Sequence, residues 1–207
     1  MVIMNENKIG VNLLFSTPVW STILNDHIKL NEGLEKYIHD LKQKDPQGSQ
    51  RSNINGWHSP DFDLKDEYPS LFTKAITPCI NKAIENMAWN KNDKVRITSM
   101  WSIINPKGAA NHIHTHPNNL LSAAYYVKAP ENCGKICFYD PRPSSKIRYA
   151  VSEKTNELNT TNFGVTPKEG LLVLFPSYLE HSVESNTSDE NRIVISFNIN
   201  LFNNELY

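Results

Sequence analysis

The chain is expected to fold as an α+β protein, mainly β, with an antiparallel sandwich or barrel packed against helices. Three observations predict this. Helical spacing is confined to the first part, where Leu30, Leu34, Ile38 and Leu41 recur every three or four residues. From Lys94 onward the period shortens, and apolar runs rich in Val, Ile, Tyr and Phe are separated by Pro, Gly, Asn and Ser. Within that second half, His112, His114 and His116 stand at every second position, and alternating residues of a strand share one face.

Taken in order, residues 11–20 (VNLLFSTPVW) read as a short strand broken at Pro18. An amphipathic helix follows over residues 30–41, then a polar loop over 42–55 containing Pro46 and Gly48. After Gly56-Trp57-His58-Ser59-Pro60, a second helix begins near Pro69, a residue tolerated in a first turn. It carries Leu71, Ile76, Ile80, Ala83, Ile84 and Met87 on its apolar side, and Pro78 should kink or split it. Strands are expected from 94 to 104 and over 120–127, 135–139, 146–151, 170–175 and 192–202. The polar excursion over 152–166 (SEKTNELNTTNFGVT) is long enough to serve as a lid at the mouth of a barrel.

Whole-chain properties narrow the class. The 207 residues suit a single domain, 1–207, with residues 1–93 supplying a strand and supporting helices and 94–207 the β core. Charged residues make up 21% and apolar residues 39%, and the mean hydropathy of -0.48 excludes a membrane bundle. No long apolar run and no signal-like start is present, so a cytoplasmic protein is expected. A net charge of -1 gives no electrostatic case for nucleic acid, and Lys91, Lys94 and Arg96 read as a solvated basic patch. Cys79, Cys133 and Cys137 lack CxxC spacing and suit buried thiols in a reducing compartment.

The chemistry concentrates in two segments. Imidazoles crowded on one face are poorly accommodated, because neutral rings want partners and protonated rings repel, and a divalent transition metal resolves that conflict. Pro117 biases His116 toward extended backbone, so the histidine run reads as the end of a strand. Downstream, an apolar run opened by Gly170 closes at Pro176, and His181 follows as a remote third ligand. The strand RIVISFNINLF then carries Arg192 at its start, and a guanidinium entering apolar surroundings calls for an anion, with a carboxylate matching its fork. Ser196 and Asn198 on the same strand are candidates to line a pocket.

These motifs resemble the double-stranded β-helix, or jelly roll. A G-x5-H-x-H match at Gly108, His114 and His116, and a near match at Gly170, Pro176 and His181, resemble the cupins, but Leu120 and Leu121 stand where cupins place an acidic ligand. A closer resemblance is to the Fe(II)- and 2-oxoglutarate-dependent oxygenases, in particular a small bacterial and phage group with unassigned substrates. It is carried by NHIHTHPNNLLSAAYYVKAP, GKICFYDPRP, GLLVLFPSYLEHSVESN and RIVISFNIN, with weaker likeness in LLFSTPVW and SNINGWHSP. The resemblance implies a jelly roll with N-terminal helices against it, Fe(II) and 2-oxoglutarate as cofactors, and hydroxylation with release of succinate and CO2. Carried over by position, His114 and His181 are metal ligands, Arg192 takes the distal carboxylate of 2-oxoglutarate, and Tyr126 shares it.

The departure is at His116, where most of that superfamily has a carboxylate. Either His116 is the third ligand, or it stands behind the ligands while Asp140 or water completes the set. A register using His112 and His114, with His116 orienting cosubstrate, is a third arrangement. The set His114, His116 and His181 is preferred, because the spacing from His116 to Tyr125 and Tyr126 fits the family better. Alternatives of other kinds are a cupin-type metalloenzyme without 2-oxoglutarate and a jelly-roll binding module without turnover. The expected partner is a small molecule or a protein side chain such as prolyl, with no nucleic acid, no membrane and a homodimer as one assembly.

Overall fold

The computed structural model of the protein describes residues 10–143 and 150–202. Its elements are β1 (Trp20–Ile23), α1 (His27–Lys44), β2 (Asn53–Ile54), β3 (Trp57–His58), α2 (Glu67–Asn86), β4 (Lys94–Asn105), β5 (Ala110–His114), β6 (Leu121–Lys128), β7 (Ile136–Tyr139), β8 (Asn162–Val165), β9 (Leu171–Pro176), β10 (His181–Val183) and β11 (Arg192–Phe202). The larger antiparallel sheet has the order β1-β9-β6-β11-β4-β3 and the smaller one β2-β5-β10-β7-β8. The two sheets form a jelly roll, and α1 and α2 pack on the outer face of the larger sheet. No helix of the described residues is long and apolar enough to cross a membrane.

Strand alternation divides the larger sheet between two apolar layers. On β6, Leu121, Ala123, Tyr125 and Val127 face the helices, while Ala124 and Tyr126 join the layer between the sheets. On β9, Leu172 and Leu174 point outward and Leu171, Val173 and Phe175 inward. Both faces are therefore dry, which is why these strands read as unbroken apolar runs. On β11 the outward set is Ile193, Ile195, Phe197 and Ile199, and Val194 belongs to the inner layer. The polar residues Arg192, Ser196 and Asn198 share the parity of Val194, and this parity makes one end of the sandwich a site rather than core.

The helices dock through Leu34 and Ile38 of α1 and Phe72, Ile76 and Ile80 of α2. Phe72 meets Tyr125 at 4.8 Å and Phe197 at 5.9 Å between ring centroids. Asn31 ties α1 to β6, donating to the Val127 carbonyl at 2.9 Å and accepting from the Tyr125 hydroxyl at 2.6 Å. Gly170 has φ 77, and the ring of His27 lies where a side chain there would project, so glycine is required at the entry to β9.

Several expectations are corrected. Residues 11–19 form no strand; β1 starts only at Trp20, because Pro18 lacks a donor and Phe15 at φ 60 breaks the extended run. Pro78 does not split α2, which is one helix from Glu67 to Asn86. Pro78 lies on the exposed side, where water can satisfy the carbonyl that its missing N–H leaves free. The strand expected over 146–151 falls mostly outside the described residues, and Ala150 and Val151 are not in a strand. Within the polar excursion over 152–166, β8 pairs with β7. Phe72→Ala should lower unfolding stability by about 3–5 kcal/mol. It would be read as a lower denaturant midpoint at unchanged slope, whereas exposed Leu71→Ala should move it by no more than about 0.5 kcal/mol.

Candidate metal centre

The smaller sheet brings the histidines together. β10 pairs antiparallel with β5 in a register that sets His181 opposite His114. His116 lies past the end of β5, where its N–H donates to the Ser177 carbonyl at 2.9 Å. The ring centroids of His114 and His181 are 4.3 Å apart, those of His114 and His116 5.1 Å, and those of His116 and His181 5.2 Å. One nitrogen from each ring lies within 4.8 Å of the other two, and among the described residues this is the group that could hold a metal ion. No carboxylate belongs to it.

Two of the rings are oriented by backbone. His114 Nδ1 meets the His112 carbonyl at 2.8 Å and His181 Nδ1 meets the Leu179 carbonyl at 2.9 Å. A carbonyl only accepts, so Nδ1 carries the proton in each ring and Nε2 keeps its lone pair for a metal. Ser52 Oγ lies 3.4 Å from His114 Nε2. Burial, reinforced by His114, lowers the His116 pKa to about 4; burial, then His114 and His116, lowers that of His181 to about 3. Burial also lowers His114. All three rings are thus neutral at physiological pH, the state in which imidazole binds metal.

A cavity of about 540 Å³ opens beside the triad, with Trp101, Tyr126, Phe175 and Arg192 in its walls. Arg192 is fully buried. Its Nη1 donates to the carbonyls of Cys133, Gly134 and Glu184, and its Nε and Nη2 have no hydrogen-bond partner. Tyr126, 1% exposed, feels the charge of Arg192. Burial raises its pKa far above the phenol range, so it remains a neutral donor.

The family comparison falls on the half of the chain that holds these groups. The model described as "Putative 2OG-Fe(II) oxygenase" matches residues 99–198, which include His114, His116, His181, Tyr126 and Arg192. The chain belongs to the Fe(II)/2-oxoglutarate-dependent oxygenase superfamily. No curated protein matches it in sequence. Among solved structures, the oxygenase is similar to a Pseudomonas putida prolyl-4-hydroxylase, with TM-score 0.65, 12% identity, and coverage of 90% of this chain and 94% of that one. It is also similar to the viral collagen prolyl hydroxylase of Paramecium bursaria Chlorella virus-1 in complex with 2-oxoglutarate, with TM-score 0.59, 14% identity, and coverage of 87% and 94%. A third is HygX from Streptomyces hygroscopicus with nickel, 2-oxoglutarate and hygromycin B bound, with TM-score 0.62, 11% identity, and coverage of 88% and 82%.

The cofactors of the oxygenase are Fe(II) and 2-oxoglutarate, and the residues present fit both. The triad offers neutral nitrogen donors that suit a borderline metal, and the guanidinium, with Nε and Nη2 unengaged, suits a carboxylate. Other sequence expectations fare differently. His112 is exposed and stands outside the cluster, supplying only its carbonyl to His114. Asp140 is paired with Arg142 at 2.7 Å and borders a second cavity. Cys133 and Cys137 are free thiols outside the cluster. The excursion expected as a lid borders that second cavity, of about 740 Å³, with Leu158 and Phe163 among its walls, and does not line the histidine cavity. Ser196 lines the histidine cavity, while Asn198 is bound to Ser122 and Ser99.

Sequence reasoning passed over His58 and Trp101. His58, on β3, stacks on Trp101 at 5.5 Å and 10°, and the Trp101 ring lies 5.8 Å from that of His116. Their signal was the GWHSP stretch, which carried no spacing that tied it to the distant histidines. The metal-free protein should lose stability as pH falls from about 6.5 toward 4, because unfolded histidines take up protons that the depressed folded pKa values refuse. A melting temperature several degrees lower at pH 5 than at pH 7.5, with a shallower dependence in His181→Asn, would show it.

Proposed function

We propose that His114, His116 and His181 hold Fe(II), and that Arg192 binds the distal carboxylate of 2-oxoglutarate with Tyr126 donating to the same group. The observation that carries this reading is a buried guanidinium, with no anionic partner, walling the same cavity as three neutral imidazoles. An unpaired buried cation costs several kcal/mol, so the site is built for a ligand that supplies the missing charge. A 2-oxo acid would do so at its distal end and would leave its 2-oxo carboxylate end available to the metal.

Bound together, metal and cosubstrate supply the oxidising power: 2-oxoglutarate, dioxygen and a substrate C–H yield succinate, CO2 and the hydroxylated product. The protein's part is placement. Backbone carbonyls aim His114 and His181, the Ser177 carbonyl fixes the turn bearing His116, and three carbonyls hold Arg192 with its remaining N–H groups unengaged. Phe175 packs against His181 at 4.6 Å between ring centroids, and Phe138 packs on Phe175 at 4.9 Å, excluding water from behind the triad. A dry, fixed site strengthens each electrostatic contact to the bound acid.

The substrate is proposed to be a protein side chain, prolyl among them, or a small metabolite. The prolyl hydroxylases among the structural neighbours support the first, and HygX with hygromycin B bound supports the second. A cavity of about 540 Å³ takes the cosubstrate and a side-chain-sized portion of a substrate. Arg192→Met should weaken 2-oxoglutarate binding by about 10²-fold, a loss of about 3 kcal/mol typical of a buried charge pair, while metal still binds. Tyr126→Phe should weaken it only a few-fold. Anaerobic calorimetry with 2-oxoglutarate on the metal-loaded protein reads both, and unchanged binding in Arg192→Met would remove the reading.

A further inference from the structure

The two lateral sides of the sandwich end differently. On one side β2 and β3, the last strands of the two sheets, are joined by the short turn Asn55-Gly56, which closes the edge. On the other side β1 ends the larger sheet and β8 the smaller, and no described strand pairs with the outer edge of either. The inner apolar layer runs out here. Phe163 lies opposite Phe138 in the β7–β8 ladder and shares its face, yet Phe138 is 4% exposed and Phe163 59%. β8 itself (Asn-Phe-Gly-Val) carries no Lys, no Pro and no bulge, the devices that keep an open edge from pairing. The second cavity, of about 740 Å³, lies along this side. Among its walls are Leu13, Leu14 and Phe15 from the segment before β1, with Leu158 and Phe163, all more than half exposed. Together they show on the order of 600 Å² of mostly apolar surface, at the top of what a monomer leaves in one patch. A standard interface takes roughly 800 Å² from each partner, so this patch and the bare edge of β8 are about enough for one.

We propose that this side is an interface with a second copy of the chain, in which β8 pairs antiparallel with β8 of the partner and the two smaller sheets become one. A two-fold axis sets an unprotected edge against itself, and the same apolar patch on both copies covers the contact. Directly opposed residues of an antiparallel pair share a face, so the axis passes through a residue, Phe163 or Gly164, and not between them. On the first axis Phe163 meets the partner's Phe163; on the second it meets the partner's Val165. Either register covers Phe163 with an apolar side chain on its own face, a cross-strand pair that the sequence of β8 supplies from itself. The net charge of -1 offers little repulsion between copies. The histidine cavity shares no lining residue with this one, and its exposed lining residues Arg51 and Asp61 stand beside β2 and β3 on the closed side. Pairing through β8 therefore leaves that mouth open, and the inference does not depend on what the histidines bind.

Sedimentation equilibrium of the full chain should give twice the mass of one copy, with a dissociation constant of about 10 µM or tighter. Phe163→Lys should raise that constant by about thirtyfold or more, because it removes a covered aromatic and sets like charges near the axis. Phe15→Asp, on the other bank of the cavity, should raise it by a smaller factor. Ile28→Lys, at an exposed apolar residue of α1 outside the cavity, should leave it unchanged. All three positions are exposed, and melting temperatures matched to the native chain at dilutions where every variant is monomeric separate dissociation from unfolding. Hydrogen exchange in β8 should slow as the native protein is concentrated, and should not slow in Phe163→Lys. A native chain that stays monomeric to about 100 µM, beyond the range of specific interfaces of standard size, would overturn the proposal. A dimer that Phe163→Lys and Phe15→Asp leave intact, or that Ile28→Lys dissociates, would overturn it as well.

Discussion

The site hangs on a short ladder. β10 has only three residues, yet its pairing with β5 on one side and β7 on the other sets His181 opposite both His114 and Phe138. A one-residue slip would turn the His181 ring to the other face of the sheet and scatter the cluster. The register is held from outside the site: Phe138 and Phe175 pack around His181, and the Leu179 carbonyl captures its Nδ1. His116 is fixed by a different route, through Ser177. The Ser177 hydroxyl shares a hydrogen bond of 2.7 Å with Ser122, which donates to Asn198 at 2.7 Å. Strands β6, β9 and β11 thus brace the turn that carries this imidazole.

Dryness does two kinds of work here. It keeps the three rings unprotonated, since burial is the first cause of every histidine shift in the cluster. It also makes Arg192, which forms no ion pair among the described residues, costly to bury, and a guanidinium does not escape by losing its proton. The inner layer of Ala124, Tyr126, Phe138, Val173, Phe175 and Val194 supplies this environment, so part of the apolar layer between the sheets also serves as the wall of the reaction chamber. The helices support the larger sheet from behind and contribute no residue to that chamber.

Much of this was legible in the sequence where a local pattern carried the information. The run RIVISFNINLF coincides with β11, and Leu171–Pro176 matches its apolar run, because both strands are buried on two faces and show it. The pairing of an H-x-H with a remote His and a following Arg carried the site's membership, and the structure brings those residues to one cavity. Elements set by tertiary contacts did not show. β2 and β3 are two residues long and exist only because β5 and β4 pair with them. The alternation of three histidines suggested one shared strand face, but β5 ends at His114, so His116 enters from a turn and His112 stays outside. The stacking of His58 on Trp101 joins residues with no common motif and was visible only in three dimensions.

Convergence of His114, His116 and His181 on one ion is tested most directly by counting imidazoles around the metal. X-ray absorption at the iron edge of the Fe(II)- and 2-oxoglutarate-loaded protein should show scattering from three imidazole rings, falling to two in His116→Ala. A native centre with fewer than three rings, or one unaltered by that substitution, would contradict the three-histidine seat.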